Sequence, residues 1–127
     1  MAFYRQAEKD LEKWRHSPDR KPLVVRGARQ TGKTTLIKKF GETFDGFIYL
    51  NLELEKDRHL FDNELPVQEL IQYICLEKNV RRSGDTLIFL DEIQECPNAR
   101  TSMKFLAIDD RYDVIASGSL LGLHYRE

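Results

Sequence analysis

The chain has 127 residues, 41% hydrophobic and 32% charged, with a formal net charge of -1 and a mean hydropathy of -0.53. That length suits one domain able to bury roughly two-thirds of the surface its unfolded form exposes, and the balance describes a soluble globular protein rather than a disordered or membrane one. No apolar run is long enough to span a bilayer, and the opening residues, with Arg5, Glu8, Lys9 and Asp10, lack a signal-peptide core, so a cytoplasmic location is expected.

Phe3, Ala7, Leu11 and Trp14 recur at helical spacing and predict an amphipathic first helix that docks on the body of the domain. Such a helix is scaffold, or it touches the base or ribose of a nucleotide. Ser17-Pro18-Asp19-Arg20-Lys21-Pro22 breaks it. Leu23-Val24-Val25 then suits a buried strand, and Thr35-Leu36-Ile37-Lys38-Lys39-Phe40 suits the opening of an amphipathic helix. Between them lies Gly27-Ala28-Arg29-Gln30-Thr31-Gly32-Lys33-Thr34, a complete G-x-x-x-x-G-K-[ST] phosphate-binding pattern. At average residue usage its four fixed positions meet by accident in roughly one chain of this length in a few hundred.

The spacing has a chemical purpose. Gly27 and Gly32 permit a backbone whose successive N–H groups turn inward around a phosphate, and the following helix adds the positive end of its dipole. Lys33 then reaches the β- and γ-phosphates and the Thr34 hydroxyl ligates Mg²⁺. Gly27, Ala28, Arg29, Gln30, Thr31, Gly32, Lys33, Thr34 and Thr35 are therefore the candidate nucleotide-binding residues.

Leu36, Ile37, Phe40 and Phe44 continue the inward face of the second helix, and Asp45-Gly46 marks a turn before the strand Phe47-Ile48-Tyr49-Leu50-Asn51-Leu52. Glu53 to Arg58 reads as a solvated loop or exposed helical turn, with Glu53 and Asp57 the two carboxylates that can reach a site. Val67, Leu70, Ile71, Ile74 and Cys75 share one side of a helix beginning near Pro66, where Cys75 is a small core residue. Ser83-Gly84-Asp85 ends that stretch.

Thr86-Leu87-Ile88-Phe89-Leu90-Asp91-Glu92 is a nearly unbroken apolar strand with two carboxylates at its end. Buried parallel strands read this way, and ligands bind outside their carboxyl ends. Asp91 is thus placed to hold Mg²⁺, and Glu92 to polarise an attacking water. Ile93 to Asn98 reads as a loop, in which Gln94 is either a γ-phosphate sensor or polar surface. Ala99, Met103, Leu106 and Ala107 form another helical stripe, and Tyr112 to Ala116 a fourth strand. Ser117-Gly118-Ser119 closes it, as a simple turn or as a hydroxyl facing the γ-phosphate.

Strands alternating with helices predict a three-layer α/β domain around a parallel sheet. Cys75 and Cys96 form no C-x-x-C pair, and His16, His59 and His124 are scattered surface or loop residues, so no metal beyond nucleotide-bound Mg²⁺ is indicated. Residues 1–41 carry 11 Lys/Arg against 4 Asp/Glu, whereas residues 42–95 carry 5 against 13. The basic front end would help recruit a polyphosphate, or reflects ordinary solvated helix faces. Its cations form no long run, so there is no clear nucleic-acid footprint.

Arg26 to Thr35, Leu87 to Gln94 and Ile115 to Gly122 together resemble the AAA-type ATPase domain at the front of a prokaryotic family that carries a further, uncharacterised C-terminal domain. The resemblance implies a AAA+-like P-loop fold with strand order 1-4-3-2, the fourth strand lying between the two motif strands. It makes Lys33 and Thr34 the Walker A pair, Asp91 and Glu92 the Walker B pair, and Ser117 or Ser119 the sensor-1 position. The catalytic set it implies is Glu92, Lys33, Ser117 and Ser119, with Thr34 and Asp91 on the metal. It also implies that the family's fifth strand, helical lid, arginine finger and C-terminal domain lie beyond this sequence, which would then be an N-terminal piece. A partner domain or another subunit is expected, and a homo-oligomer is compatible.

Three activities remain open on sequence grounds. The first is MgATP hydrolysis, which Glu92 directly after Asp91 favours. The second is a nucleotide-dependent switch with little turnover, and the third a small-molecule phosphotransferase, for which no acceptor pocket is legible. A GTPase fits poorly, because Gln94 stands where a glycine would follow Asp91 and no Asn-Lys-x-Asp tetrad occurs.

Overall fold

The structure is a computed structural model that describes residues 2–18, 20–26, 32–81, 84–106, 108 and 112–118. Four strands, β1 (Leu23–Arg26), β2 (Gly46–Asn51), β3 (Thr86–Asp91) and β4 (Tyr112–Gly118), pair in parallel in the order β1-β4-β3-β2. Helices α1 (Ala2–Arg15) and α2 (Lys33–Gly41) pack on one face. The short α3 (Glu55–Arg58), α4 (Val67–Lys78) and α5 (Pro97–Leu106) belong to the other. This is the α/β fold and strand order expected of a P-loop domain.

The period-2 alternation of a strand sends successive residues of β3 and β4 to opposite faces, and here both faces are covered. Leu87, Phe89 and Ile115 meet Leu11, Leu36, Ile37 and Phe40 of the first layer. Ile88, Leu90, Val114 and Ala116 meet Leu70, Ile71, Ile74, Ala99 and Leu106 of the second. Every residue of β3 and β4 is buried, which is why their sequences carry no polar alternation. Cys75 and Cys96 are buried in the second layer, neither of them in a disulfide.

Three expectations need correction. Leu23-Val24-Val25 is half-buried rather than buried: among the described residues β1 is an edge strand with β4 alone beside it, and Val24 is exposed. The stretch after Asp91 is not a plain loop, because Ile93–Glu95 forms a 3₁₀ turn and α5 starts at Pro97, a residue suited to a first helical turn. Asp57 is not solvated. It is buried under the β2–α3 connection, where it accepts hydrogen bonds from the Asn51 N–H at 2.8 Å and the Lys78 ammonium at 2.7 Å. Ala107 and Ser119 lie outside the described residues.

Arginines pin the opposite, amino-terminal edge of the sheet. Arg20 Nε donates to the buried Asp113 carboxylate at 2.6 Å, and Arg20 Nη1 donates to the Arg15 carbonyl at 2.6 Å. Arg15 in turn reaches Asp85 at 3.2 Å while its guanidinium lies 3.7 Å from the Phe44 ring centroid. Burial raises the pKa of Asp113 above the usual carboxylate value, and Arg20 opposes that rise. A folded-state pKa above the unfolded one means that ionised Asp113 costs stability at neutral pH, a cost that fades as pH falls through the folded pKa. Arg20→Met should therefore lose about 2–4 kcal/mol at pH 7 and clearly less at acid pH, once Asp113 has taken up a proton. Urea denaturation at neutral and acid pH checks this; an equal loss at both would mean that Arg20 acts through packing and its bond to the Arg15 carbonyl rather than through the Asp113 charge.

Candidate functional site

The carboxyl edge of the sheet gathers the chemistry-bearing side chains. Gly32 adopts φ 82° and ψ 6°, left-handed values that a glycine tolerates without strain, and caps α2 with its carbonyl accepting the Leu36 N–H at 3.0 Å. This geometry starts the helix at Lys33, so Lys33 and Thr34 stand on its first turn, where unpaired N–H groups and the dipole favour an anion. The register Leu90↔Ala116 carries Asp91 to the level of Ser117, and Asn51 pairs with Asp91 across β2.

Asp91 is the centre of this arrangement. Its Oδ2 accepts hydrogen bonds from Thr34 Oγ1 at 3.0 Å and from the Tyr49 hydroxyl at 2.8 Å, and its Oδ1 from Ser117 Oγ at 2.5 Å. Ser117 is fully buried, and its Oγ also lies 3.4 Å from the Glu92 backbone N–H, which donates to it. Burial, reinforced by the hydrogen bond to Asp91, raises the pKa of the Tyr49 hydroxyl far above its ordinary value, so it remains a donor.

Glu92 leaves the strand in the left-handed region, at φ 59° and ψ 56°. For a residue with a full side chain that conformation is costly, and such outliers gather at sites whose surroundings over-determine them. Its Oε1 accepts a hydrogen bond from Gln94 Nε2 at 2.8 Å and its Oε2 lies 3.9 Å from Lys33 Nζ. A carboxylate only accepts, so the Gln94 amide must turn its NH₂ toward it. The other end of that amide, Oε1, is buried without a hydrogen-bond partner among the described residues.

Gly32, Lys33, Thr34, Thr35, Glu53, Asp91 and Glu92 line one cleft of about 370 Å³. Six of these seven are residues singled out from sequence for the nucleotide, the metal or catalysis. The seventh, Glu53, stood only as one of two carboxylates able to reach a site, and the other, Asp57, turns inward. Gly27, Ala28, Arg29, Gln30, Thr31 and Ser119 lie outside the described residues. Two contacts were not anticipated: Tyr49 on Asp91, and Gln94 on Glu92. The first was in principle readable, since a tyrosine two residues before the strand partner of Asp91 shares its face.

A parallel α/β sheet with a glycine-capped helix start and paired carboxylates over one cleft defines a phosphate-loop type of domain. The family described as AAA domain matches residues 19–127, and the chain belongs to it. Membership points to nucleotide binding and to a possible ATPase. No curated protein matches the chain.

Removing an acceptor that three hydroxyls share leaves all of them without it. Asp91→Ala should thus cost the ligand-free protein about 2–4 kcal/mol, and Asp91→Asn, which keeps one carbonyl oxygen, less than half of that. Urea titrations of the two variants measure the difference; equal losses would show that the retained amide oxygen does not replace the carboxylate as the shared acceptor, and no loss in Asp91→Asn would show that the side chain acts through volume alone.

Proposed function

We propose that the chain binds MgATP in the cleft between the head of α2 and the end of β3, and hydrolyses it. The observation that supports this most directly is that Thr34 and Asp91, distant in sequence, meet at 3.0 Å beside Lys33 and Glu92. A hydroxyl and a carboxylate are hard oxygen donors of the kind Mg²⁺ takes, alongside phosphate oxygens and water, so the side chains fit the ion. Thr34 and Asp91 would hold it, and once bound it would neutralise charge on the β- and γ-phosphates.

The remaining work falls to the chain's own side chains. Lys33 leaves Glu92 and places its ammonium against the triphosphate. Glu92, freed of that cation, takes the proton of a water whose oxygen attacks the γ-phosphorus in line. The bond from the γ-phosphorus to the bridging oxygen breaks with its electron pair going to ADP, and inorganic phosphate leaves. Ser117 holds both Asp91 and the backbone of Glu92 and fits the sensor-1 role; Gly27, Ala28, Arg29, Gln30 and Thr31 would wrap the phosphates, and Ser119 is the alternative sensor. Coupling to a further domain or a second subunit completes this reading.

One observation favours a second reading, a nucleotide-dependent binding switch with little turnover. Both carboxylate oxygens of Glu92 are engaged, one by Gln94 and one near Lys33, so the base is held back unless a ligand draws Lys33 away.

Titrating ATP, GTP and ADP with Mg²⁺ into the wild type and Lys33→Ala tests occupancy and base preference together. ATP affinity should fall at least tenfold in the variant, which corresponds to about 1.4 kcal/mol. Glu92→Gln should bind ATP as the wild type does and release phosphate at least a hundredfold more slowly. Unchanged phosphate release in Glu92→Gln would remove Glu92 from the mechanism, and wild-type binding without measurable release would favour the switch.

A further inference from the structure

Of the three hydroxyls on Asp91, that of Tyr49 belongs to neither the phosphate-loop pattern nor the serine at the end of β4. Tyr49 lies on β2, paired with Phe89, two residues before the Asn51 that faces Asp91. Two strand residues rise about 6.6 Å, which a tyrosine leaning along its strand can span. The ring is fixed on the way: its centroid lies 5.3 Å from that of Phe89, and the Lys38 ammonium sits 4.1 Å from the Tyr49 ring centroid.

An ionised carboxylate offers about four lone-pair directions. Thr34 and Tyr49 fill both on Oδ2, and Ser117 fills one on Oδ1. Ser117 and Tyr49 thus grip opposite oxygens from the two strands that flank β3, and together they fix the carboxylate plane. Thr34 shares Oδ2 with Tyr49, so once the Thr34 hydroxyl turned to a metal, Tyr49 would be the donor left to hold that oxygen.

We propose that Tyr49 is a positioning residue that orients Asp91 for the metal and so sets the Mg²⁺ dependence of nucleotide binding. The inference rests on the MgATP reading above, and it concerns binding rather than turnover. Groups that orient a metal ligand from behind change metal affinity by roughly 10- to 100-fold when they are lost. The hydroxyl here is one of three donors on Asp91, so the low end of that range applies.

The test is Tyr49→Phe in the whole chain, which keeps the ring, its Phe89 contact and the Lys38 cation. A fluorescent ATP analogue is titrated in EDTA and again at rising Mg²⁺. The variant should need about tenfold more Mg²⁺ for half-maximal binding, while its affinity in EDTA changes less than twofold. Lys38→Met, which touches the ring but not the hydroxyl, should keep the wild-type Mg²⁺ midpoint. An equal loss with and without Mg²⁺ would mark Tyr49 as a packing residue and overturn the proposal. So would a midpoint identical to the wild type, and in that case the MgATP reading stands. A wild type whose binding ignores Mg²⁺ would overturn the metal site and, with it, the role of Tyr49.

Discussion

A buried carboxylate has to be satisfied, and Asp91 is satisfied by hydroxyls from three separate elements: Thr34 at the head of α2, Tyr49 on β2 and Ser117 at the end of β4. Burying an ionised group without such partners is prohibitive, so the sheet order, the strand registers and the start of α2 all have to agree at this point. The order β1-β4-β3-β2 puts β3 between the strands that carry Tyr49 and Ser117. The left-handed Gly32 starts α2 where Thr34 can reach across. The site is the place where these independent constraints meet.

The same cluster separates scaffold from chemistry. Below it, Leu87 to Leu90 and Val114 to Ala116 are buried apolar residues that fix the sheet without polar demands. Above it, Glu92 departs into a costly backbone conformation with its carboxylate held by Gln94 and close to Lys33. A stiff strand end under a strained, ion-paired glutamate suits the proposed role of Glu92, in which it would exchange partners when a polyphosphate arrives. Membership of the AAA domain family agrees with a nucleotide as that polyphosphate.

Much of this was legible in the sequence because the informative signals are local. Gly32-Lys33-Thr34 and the apolar run ending in Asp91-Glu92 each state their own element, and the structure brings their side chains to one cleft. The unbroken hydrophobicity of Thr86 to Leu90 announced a strand covered on both faces. The partial exposure of β1 was not legible, since three apolar residues look alike whether, among the described residues, one neighbour strand or two flank them. Nor was the burial of Asp57: its partners, Lys78 and the Asn51 N–H, meet it through the return of α4 and the turn after β2. The contacts of Tyr49 with Asp91 and of Gln94 with Glu92 were missed for a related reason. A tyrosine in a strand reads as core, and a glutamine in a loop reads as surface, until the register or the turn puts a carboxylate beside them.

In the proposed function the head of α2 and the end of β3 together receive the phosphates of a nucleotide. Mapping backbone amide shifts in ¹⁵N-labelled protein on addition of Mg²⁺ and a non-hydrolysable ATP analogue tests it most directly. The largest changes should fall at Gly32, Lys33, Thr34, Asp91 and Glu92, with the amino-terminal edge around Arg20 and Asp113 quiet. Changes centred on that opposite edge, or none at Asp91 and Glu92 while the analogue binds, would contradict it.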